Sequence, residues 1–371
     1  MTRPFATAVL LTFMLVACRP ASPEVEVTPT PSPSPSPSPS PVVTGYREVV
    51  LAENLGLPVA INFAPDGRIF FAQVKEGAIR VLDATGALNP TPVAVFEVSK
   101  IGEFGLLGLA LDPEFAANHR MYAYYTEPDA DGTAKGNKVV RLVESNNQAT
   151  VEATIIDDIP PSRDKHAGGR LTFGPDGMLY VAVGDTQRPD QAQDAASPVG
   201  KILRVNTDGV APADNPFPGS RAWALGLRNP FGLSFDPDNG RLFVAENGPN
   251  SFDEVNVAEK PGENFGHPVV FGPSGGRFKD PIWNSGPESH GMSGVAAVRN
   301  SLVPQLDERV FFCTFNTGVL HSLPILPDGG FGAEEALPHF CNLDVAVSPE
   351  GIVHIANGSI VKLEPVTGSQ P

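Results

Sequence analysis

A phrase of proline, an acidic residue and glycine, followed by an apolar run, recurs along the 371-residue chain and predicts an all-β fold. It reads Phe63-Ala-Pro-Asp-Gly, Phe173-Gly-Pro-Asp-Gly, Phe235-Asp-Pro-Asp-Asn-Gly and Val347-Ser-Pro-Glu-Gly, with degenerate copies at Leu111-Asp-Pro-Glu and Leu306-Asp-Glu-Arg. Proline before Asp-Gly or Glu-Gly suits a tight turn, and the β-rich run after it suits a buried strand. Six such units, each with room for about four strands, predict a six-bladed β-propeller of four-stranded antiparallel blades. Long amphipathic helices are nearly absent from the pattern, in keeping with that class.

From the N-terminus, residues 1–17 carry Arg3 and an apolar run from Ala6 to Ala17, shorter than the roughly 20 residues a membrane span needs. This is the form of a lipoprotein signal peptide. Leu15-Val16-Ala17-Cys18 resembles the bacterial lipobox, which makes Cys18 the expected lipidation site and the chain an exported, membrane-anchored lipoprotein. Residues 18–45 follow as a Pro/Ser-rich linker that favours extended polyproline II, and residues 46–371 hold the six repeats.

Lys and Arg number 26 against 42 Asp and Glu, a formal net charge of −16, so no basic face exists to displace counterions from a phosphate backbone. Nucleic acid is excluded as a partner on that ground. The glycine-rich segments lack the spacings that cradle a dinucleotide or a nucleoside triphosphate, and neither HExxH nor CxxC occurs. Cys313 and Cys341 would meet an oxidising compartment after export, where buried thiols, a disulfide, or metal ligation with a histidine are all open to them.

The segment Ala224 to Asn256 concentrates polar residues. Leu225 to Phe235 is expected to be a strand interrupted at Arg228-Asn229-Pro230, since proline removes a ladder donor. After the strand Arg241 to Ala245, Glu246, Asn247, Asp253 and Glu254 crowd a turn in which Gly248-Pro249 offers main-chain carbonyls to a hard cation such as calcium. Upstream, His166 and Asp185 are expected to bracket one strand, with the aspartate orienting the histidine as a base. Gly168 and Gly169 would let a flat ligand approach the backbone, and Glu103 would stand at the top of the strand entered by Gly105-Leu-Leu-Gly.

Taken together, Gly105-Leu-Leu-Gly-Leu-Ala, the stretch from His166 through Gly177 to Val181, Gly200-Lys-Ile-Leu-Arg-Val-Asn, Leu227-Arg-Asn-Pro-Phe-Gly-Leu and Glu246-Asn-Gly-Pro-Asn resemble the soluble pyrroloquinoline quinone (PQQ) dependent glucose/sorbosone dehydrogenases. The resemblance covers nearly everything after the linker. It implies a six-bladed propeller holding PQQ and calcium (Ca2+) over its channel and oxidising the anomeric hydroxyl of aldose sugars to a lactone. It further implies His166 as general base, Asp185 as its orienter and Arg228 as stabiliser of charge on the quinone oxygen. Glu103, Asn229 and Asn247 would join Arg228 in binding the cofactor, and the carbonyls of Gly248 and Pro249 would hold calcium.

The last two units depart from the family pattern. Asn316, Cys341 and Leu343 stand where that pattern supplies cationic residues for the cofactor's carboxylates, with Arg299, Arg309 and Lys279 as candidates to compensate. The alternative function is a cofactor-free propeller that binds carbohydrate or protein at the cell surface. A calcium-dependent hydrolase such as a lactonase rests on fold analogy alone.

Overall fold

In the computed structural model, which describes residues 42–368, six four-stranded antiparallel sheets form six blades. The repeated phrase turns out to be one turn used over again, the hairpin between the first and second strands of a blade. In blade 1, Ala64 N–H donates to Arg68 and Gly67 N–H to Ala64, and the turn residue Gly67 has φ 87°. Blade 3 repeats this through Gly174 and Gly177, and blade 6 through Ser348 and Gly351. The degenerate copies differ: blade 2 makes the crossing with a short helix Phe115–Asn118 and blade 5 with a 3-10 turn Pro304–Leu306.

The first strands are Pro58–Phe63, Leu106–Leu111, Gly168–Phe173, Pro230–Phe235, Met292–Val298 and Asp344–Val347. Each packs against the first strand of the blades on either side, which closes the ring about a central channel. The second strands, such as Leu179–Val183 and Leu242–Glu246, are buried along their whole length because another blade covers each face. Phe70, Phe71, Tyr122, Tyr124, Phe243 and Phe311 fill the space between blades, and each large side chain so buried contributes roughly 1.5–3 kcal/mol. Blade 6 takes its outer strand from the other end of the chain, because Val42–Ala52 pairs with Ile360–Gly368. That strand starts ahead of Tyr46, where the linker was expected to end, while residues 1–17 and Cys18 lie outside the described residues.

Two expected elements are different in the fold. Leu225 to Phe235 is not one interrupted strand: Ala222–Leu225 ends blade 3, Pro230–Phe235 begins blade 4, and Gly226 to Asn229 crosses between them. Gly226 at φ 78° leaves the extended region, and Pro230 takes the first position of the next strand, where its missing N–H costs least. His166 and Asp185 likewise flank a hairpin of two strands rather than a single one.

Candidate functional site

Strands of a blade alternate in direction, so a residue just before the first strand and a residue just after the second emerge at the same mouth of the channel. Glu103, His166, Arg228, Asn229 and Leu343 precede first strands, whereas Lys75, Asp185, Asn247 and Asn316 follow second strands. All but Asp185 line one cavity of about 470 Å³. The repeated turns sit at the other mouth, around a cavity of about 610 Å³ that contains none of these residues. Arg170 and Asp344 line that second cavity as a buried ion pair with N–O separation 3.2 Å.

His166 is 6% exposed and sits in left-handed backbone at φ 65°, a conformation that non-glycine residues adopt only when their surroundings impose it. Its N–H donates to Glu103 Oε2 at 2.8 Å, and Thr186 N–H donates to its carbonyl. Gly184 makes room for this bend, since a Cβ there would lie 2.1 Å from the His166 carbonyl oxygen. Gly168 and Gly169 do not admit a ligand as expected. Added Cβ atoms there would meet the backbone of Gly184 and Ala182, and the side chains of Leu107 and Tyr124, so these glycines serve packing within the protein.

The imidazole Nδ1 lies 2.8 Å from Asp185 Oδ1, and Nε2 is buried with no hydrogen-bond partner. Burial alone would raise the Asp185 pKa, but hydrogen bonds from His166 and His267 outweigh it and hold the carboxyl well below its usual range. An ionised carboxylate only accepts, so His166 carries a proton on Nδ1, which makes Nε2 the nitrogen available to exchange a proton.

Arg228 N–H donates to Glu246 Oε1, and its Nη1 donates to the carbonyls of Asn247 at 3.0 Å and Gly248 at 2.7 Å. Burial pulls its pKa below the ordinary value, with Asp185, Glu246, Glu103 and Asp253 opposing that, and the guanidinium stays charged. Glu103 Oε2 also accepts from the Asn229 amide at 3.0 Å, which joins blades 2, 3 and 4 at one carboxylate. The Asn247 amide donates to the Met292 carbonyl, tying blade 4 to blade 5. Asn229 and Asn247 therefore line the cavity while part of their polar capacity is committed to the protein.

The acidic turn after blade 4's second strand is internal scaffolding. Asp253 accepts from the N–H groups of Gly248, His290 and Gly291, and this fixes the loop that presents Gly248 and Pro249. Glu246 and Glu254 are buried side by side, and desolvation pushes both carboxyl pKa values up. Lys201 of the Gly200-Lys motif is also structural, donating to the carbonyls of Gln191, Ala192 and Val199.

The cationic residues are distributed unevenly. Asn316 and Leu343 line the cavity on the side of blades 5 and 6, while Lys75, Lys165 and Arg228 line it from blades 1, 3 and 4. None of the expected compensating residues reaches the site. Arg299 pairs with Asp236, Arg309 with Glu335 and Lys279 with Glu259, because each has a nearer carboxylate. Cys341 is not at the cavity either: it is bonded to Cys313 in the core, which settles the open question of the two thiols in favour of a disulfide. Lys165 was visible beside His166 in the sequence. Lys75, Phe315 (54% exposed at the cavity) and His267, 82 positions from its partner Asp185, had no sequence signal.

Among the described residues, no group of three or more His, Cys, Asp or Glu is placed to hold a metal ion, and no helix is long and apolar enough to cross a membrane. A family model described as Glucose / Sorbosone dehydrogenase matches residues 55–359. Aldose sugar dehydrogenase YliI of Escherichia coli (strain K12) is 32% identical over 286 residues, covering 71% of this chain and 76% of that protein. Quinoprotein glucose dehydrogenase B of Acinetobacter calcoaceticus is 37% identical over 257 residues, covering 60% of this chain. The match spans about half of that relative, 52% of its length. The solved PQQ-bound form of aldose sugar dehydrogenase from Streptomyces coelicolor superposes with TM-score 0.75 at 30% identity, covering 88% of this chain and 99% of that one.

Proposed function

The chain belongs to the glucose/sorbosone dehydrogenase family, and from that premise we propose that it is a sugar oxidoreductase that oxidises the anomeric hydroxyl of an aldose to a lactone with PQQ. One observation carries the reading: a buried imidazole, its Nδ1 held by Asp185 and its Nε2 without a partner, lines the same cavity as the half-buried guanidinium of Arg228.

The residues present fit PQQ. The Arg228 guanidinium offers a donor to its oxygens, Lys75 and Lys165 add positive charge for its carboxylates, and the orphaned Nε2 in the same cavity is left for the sugar hydroxyl. When bound, PQQ would supply the acceptor for the hydride, the two electrons and the C1 hydrogen together, that leaves C1 as the hydroxyl proton is removed. His166 Nε2 takes the hydroxyl proton from C1, Asp185 stabilises the imidazolium so formed, and Arg228 places positive charge where negative charge develops. The apolar walls of Leu57, Leu107, Phe231 and Met292 exclude water and strengthen these interactions. Calcium fits less directly. The Gly248 carbonyl already accepts from Arg228, so a cation at Gly248 and Pro249 would share that oxygen with a guanidinium and meet its positive charge, and no step is assigned to it.

The working compartment belongs to the same proposal. The signal segment and Cys18 support export with a lipid anchor, and a buried disulfide suits an oxidising compartment. Labelling with a radioactive fatty acid should mark the wild type and not Cys18→Ala; label on both would remove the anchor from the account.

The chemistry is tested by adding PQQ, with and without calcium, to the purified chain and following dye reduction with a panel of aldoses. Turnover that requires PQQ is expected, and chelation with EGTA should lower it if calcium takes part. Silence with every sugar, together with no heat of PQQ binding, would favour a cofactor-free binding propeller instead. That alternative is not favoured by the His166, Asp185 and Arg228 arrangement, which a passive binding surface does not need.

A further inference from the structure

Asp185 is held by a second imidazole. His267 Nε2 lies 2.9 Å from Oδ2, on the side of the carboxylate away from the oxygen that meets His166. His166, Asp185 and His267 are 6%, 2% and 6% exposed, so water does not compete for these bonds. Because the carboxylate is an acceptor only, His267 must carry a proton on Nε2, and its other nitrogen, Nδ1, is buried without a partner.

His267 is itself fixed. Its N–H donates to the Gly226 carbonyl at 2.9 Å, its carbonyl accepts from the Gln193 amide at 2.7 Å, and its ring lies 5.6 Å from that of Phe271. It does not line the large cavity; it lines a separate small void with Arg228, Glu246 and Glu254. A ligand bound beside His166 reaches His267 only through Asp185 or through Arg228, which lines both spaces.

A carboxylate held at one oxygen can rotate and offer its partner either lone-pair direction. Held at both, it has one orientation. We propose that His267 is a positioning residue for the reaction, pinning the second oxygen of Asp185 so that the His166 imidazole keeps the tautomer and direction that leave Nε2 bare. This rests on the reading of His166 as the base. The other charged groups facing the set are Glu103 at the His166 N–H, Arg228, whose carbonyl accepts from the Asp185 N–H, and Glu246 and Glu254 in the void beside His267.

The test begins without cofactor. Nitrogen NMR of the imidazoles in the unliganded full chain should show His166 protonated on Nδ1 in the wild type and in His267→Gln, whose amide nitrogen can replace the lost donor. His267→Leu should show a mixture of tautomers. In the PQQ-loaded enzyme, His267→Leu should lower kcat about 10-fold with little change in KM for the sugar. It should also move the acid limb of the kcat/KM profile upward by about half a pH unit, since the charge on Asp185 then acts on His166 alone. His267→Gln should recover most of both effects. If His267→Leu retains the single tautomer and the unshifted profile and loses only melting temperature, His267 is a packing residue and the proposal is overturned. Absence of turnover in every protein would count against the dehydrogenase reading, and the tautomer result would still decide the role of His267.

Discussion

Asp185 shows how one side chain serves both stability and chemistry. Its carboxyl is buried yet held well below the ordinary range by donors from His166 and His267, with the Gln187 N–H at 2.7 Å adding a third. A folded-state pKa below the unfolded one means that its stabilisation is complete above the usual aspartate range and is lost progressively as pH falls from there through the depressed folded value. Asp185→Asn should therefore unfold at lower urea than wild type at about pH 6, with the gap starting to narrow only below about pH 4. A gap independent of pH would show that the carboxylate is not ionised in the fold. The same variant replaces one acceptor oxygen by a donor, which disturbs the histidine tautomer, and kcat should fall by roughly 10²-fold or more.

At this scale much of the site was legible. His166, Asp185 and Arg228 stand in motifs whose residue types already suggest a base, its orienter and a cation, and the fold brings all three to one mouth. His267 was hidden because its pairing depends on the crossing from blade 3 to blade 4, a tertiary relation with no local pattern. The cation deficit read at Asn316 and Leu343 was real at those positions, but Lys75, which enters from blade 1 with its Nζ donating to the Gly102 and Phe104 carbonyls, was not foreseen.

At the scale of elements, the rule that places the site is the alternation of strand direction within a blade. The proline-glycine turns that reveal the fold in the sequence all mark the mouth opposite the site, so the most visible repeat locates the wrong end of the channel. Useful residues lie instead at the uneven ends, where Gly184 is required by the His166 carbonyl rather than by any turn. Gly184→Ala should displace His166, cost roughly 1–3 kcal/mol by overpacking and lose activity out of proportion to stability. An active variant of unchanged stability would refute that packing argument. The disulfide acts on the same scale. Cys313 and Cys341 are 28 positions apart, and closing that loop contributes roughly 3–4 kcal/mol, so Cys313→Ala/Cys341→Ala should lose about that amount in urea unfolding.

Across the whole molecule, the ring is closed by its own N-terminal strand, with Val42–Ala52 completing blade 6 beside Ile360–Gly368. The boundary at Tyr46 was misplaced because Val42, Val43 and Thr44 follow a proline tract directly and carry too few residues to show an alternating pattern of their own. The channel is braced by Arg170 and Asp344, whose charges meet at 3.2 Å on first strands of opposite blades, 3 and 6. Asp344 lies in low dielectric, where burial raises its carboxyl pKa against the pull of Arg170. Arg170→Met should cost about 3–5 kcal/mol by leaving that charge unpaired, and Arg170→Met/Asp344→Leu should recover part of it. A double variant that loses the sum of what Arg170→Met and Asp344→Leu each lose alone would mean that the pair contributes no coupling.

Everything at the three scales converges on His166 Nε2 as the proton acceptor in a cavity it shares with Arg228. The most direct measurement is single-turnover sugar oxidation by PQQ-loaded wild type and His166→Gln, with PQQ affinity measured separately. The expected result is PQQ binding of similar strength in both and a rate lower by about 10²–10⁴-fold in the variant. Equal rates in the two proteins at full loading would contradict the account.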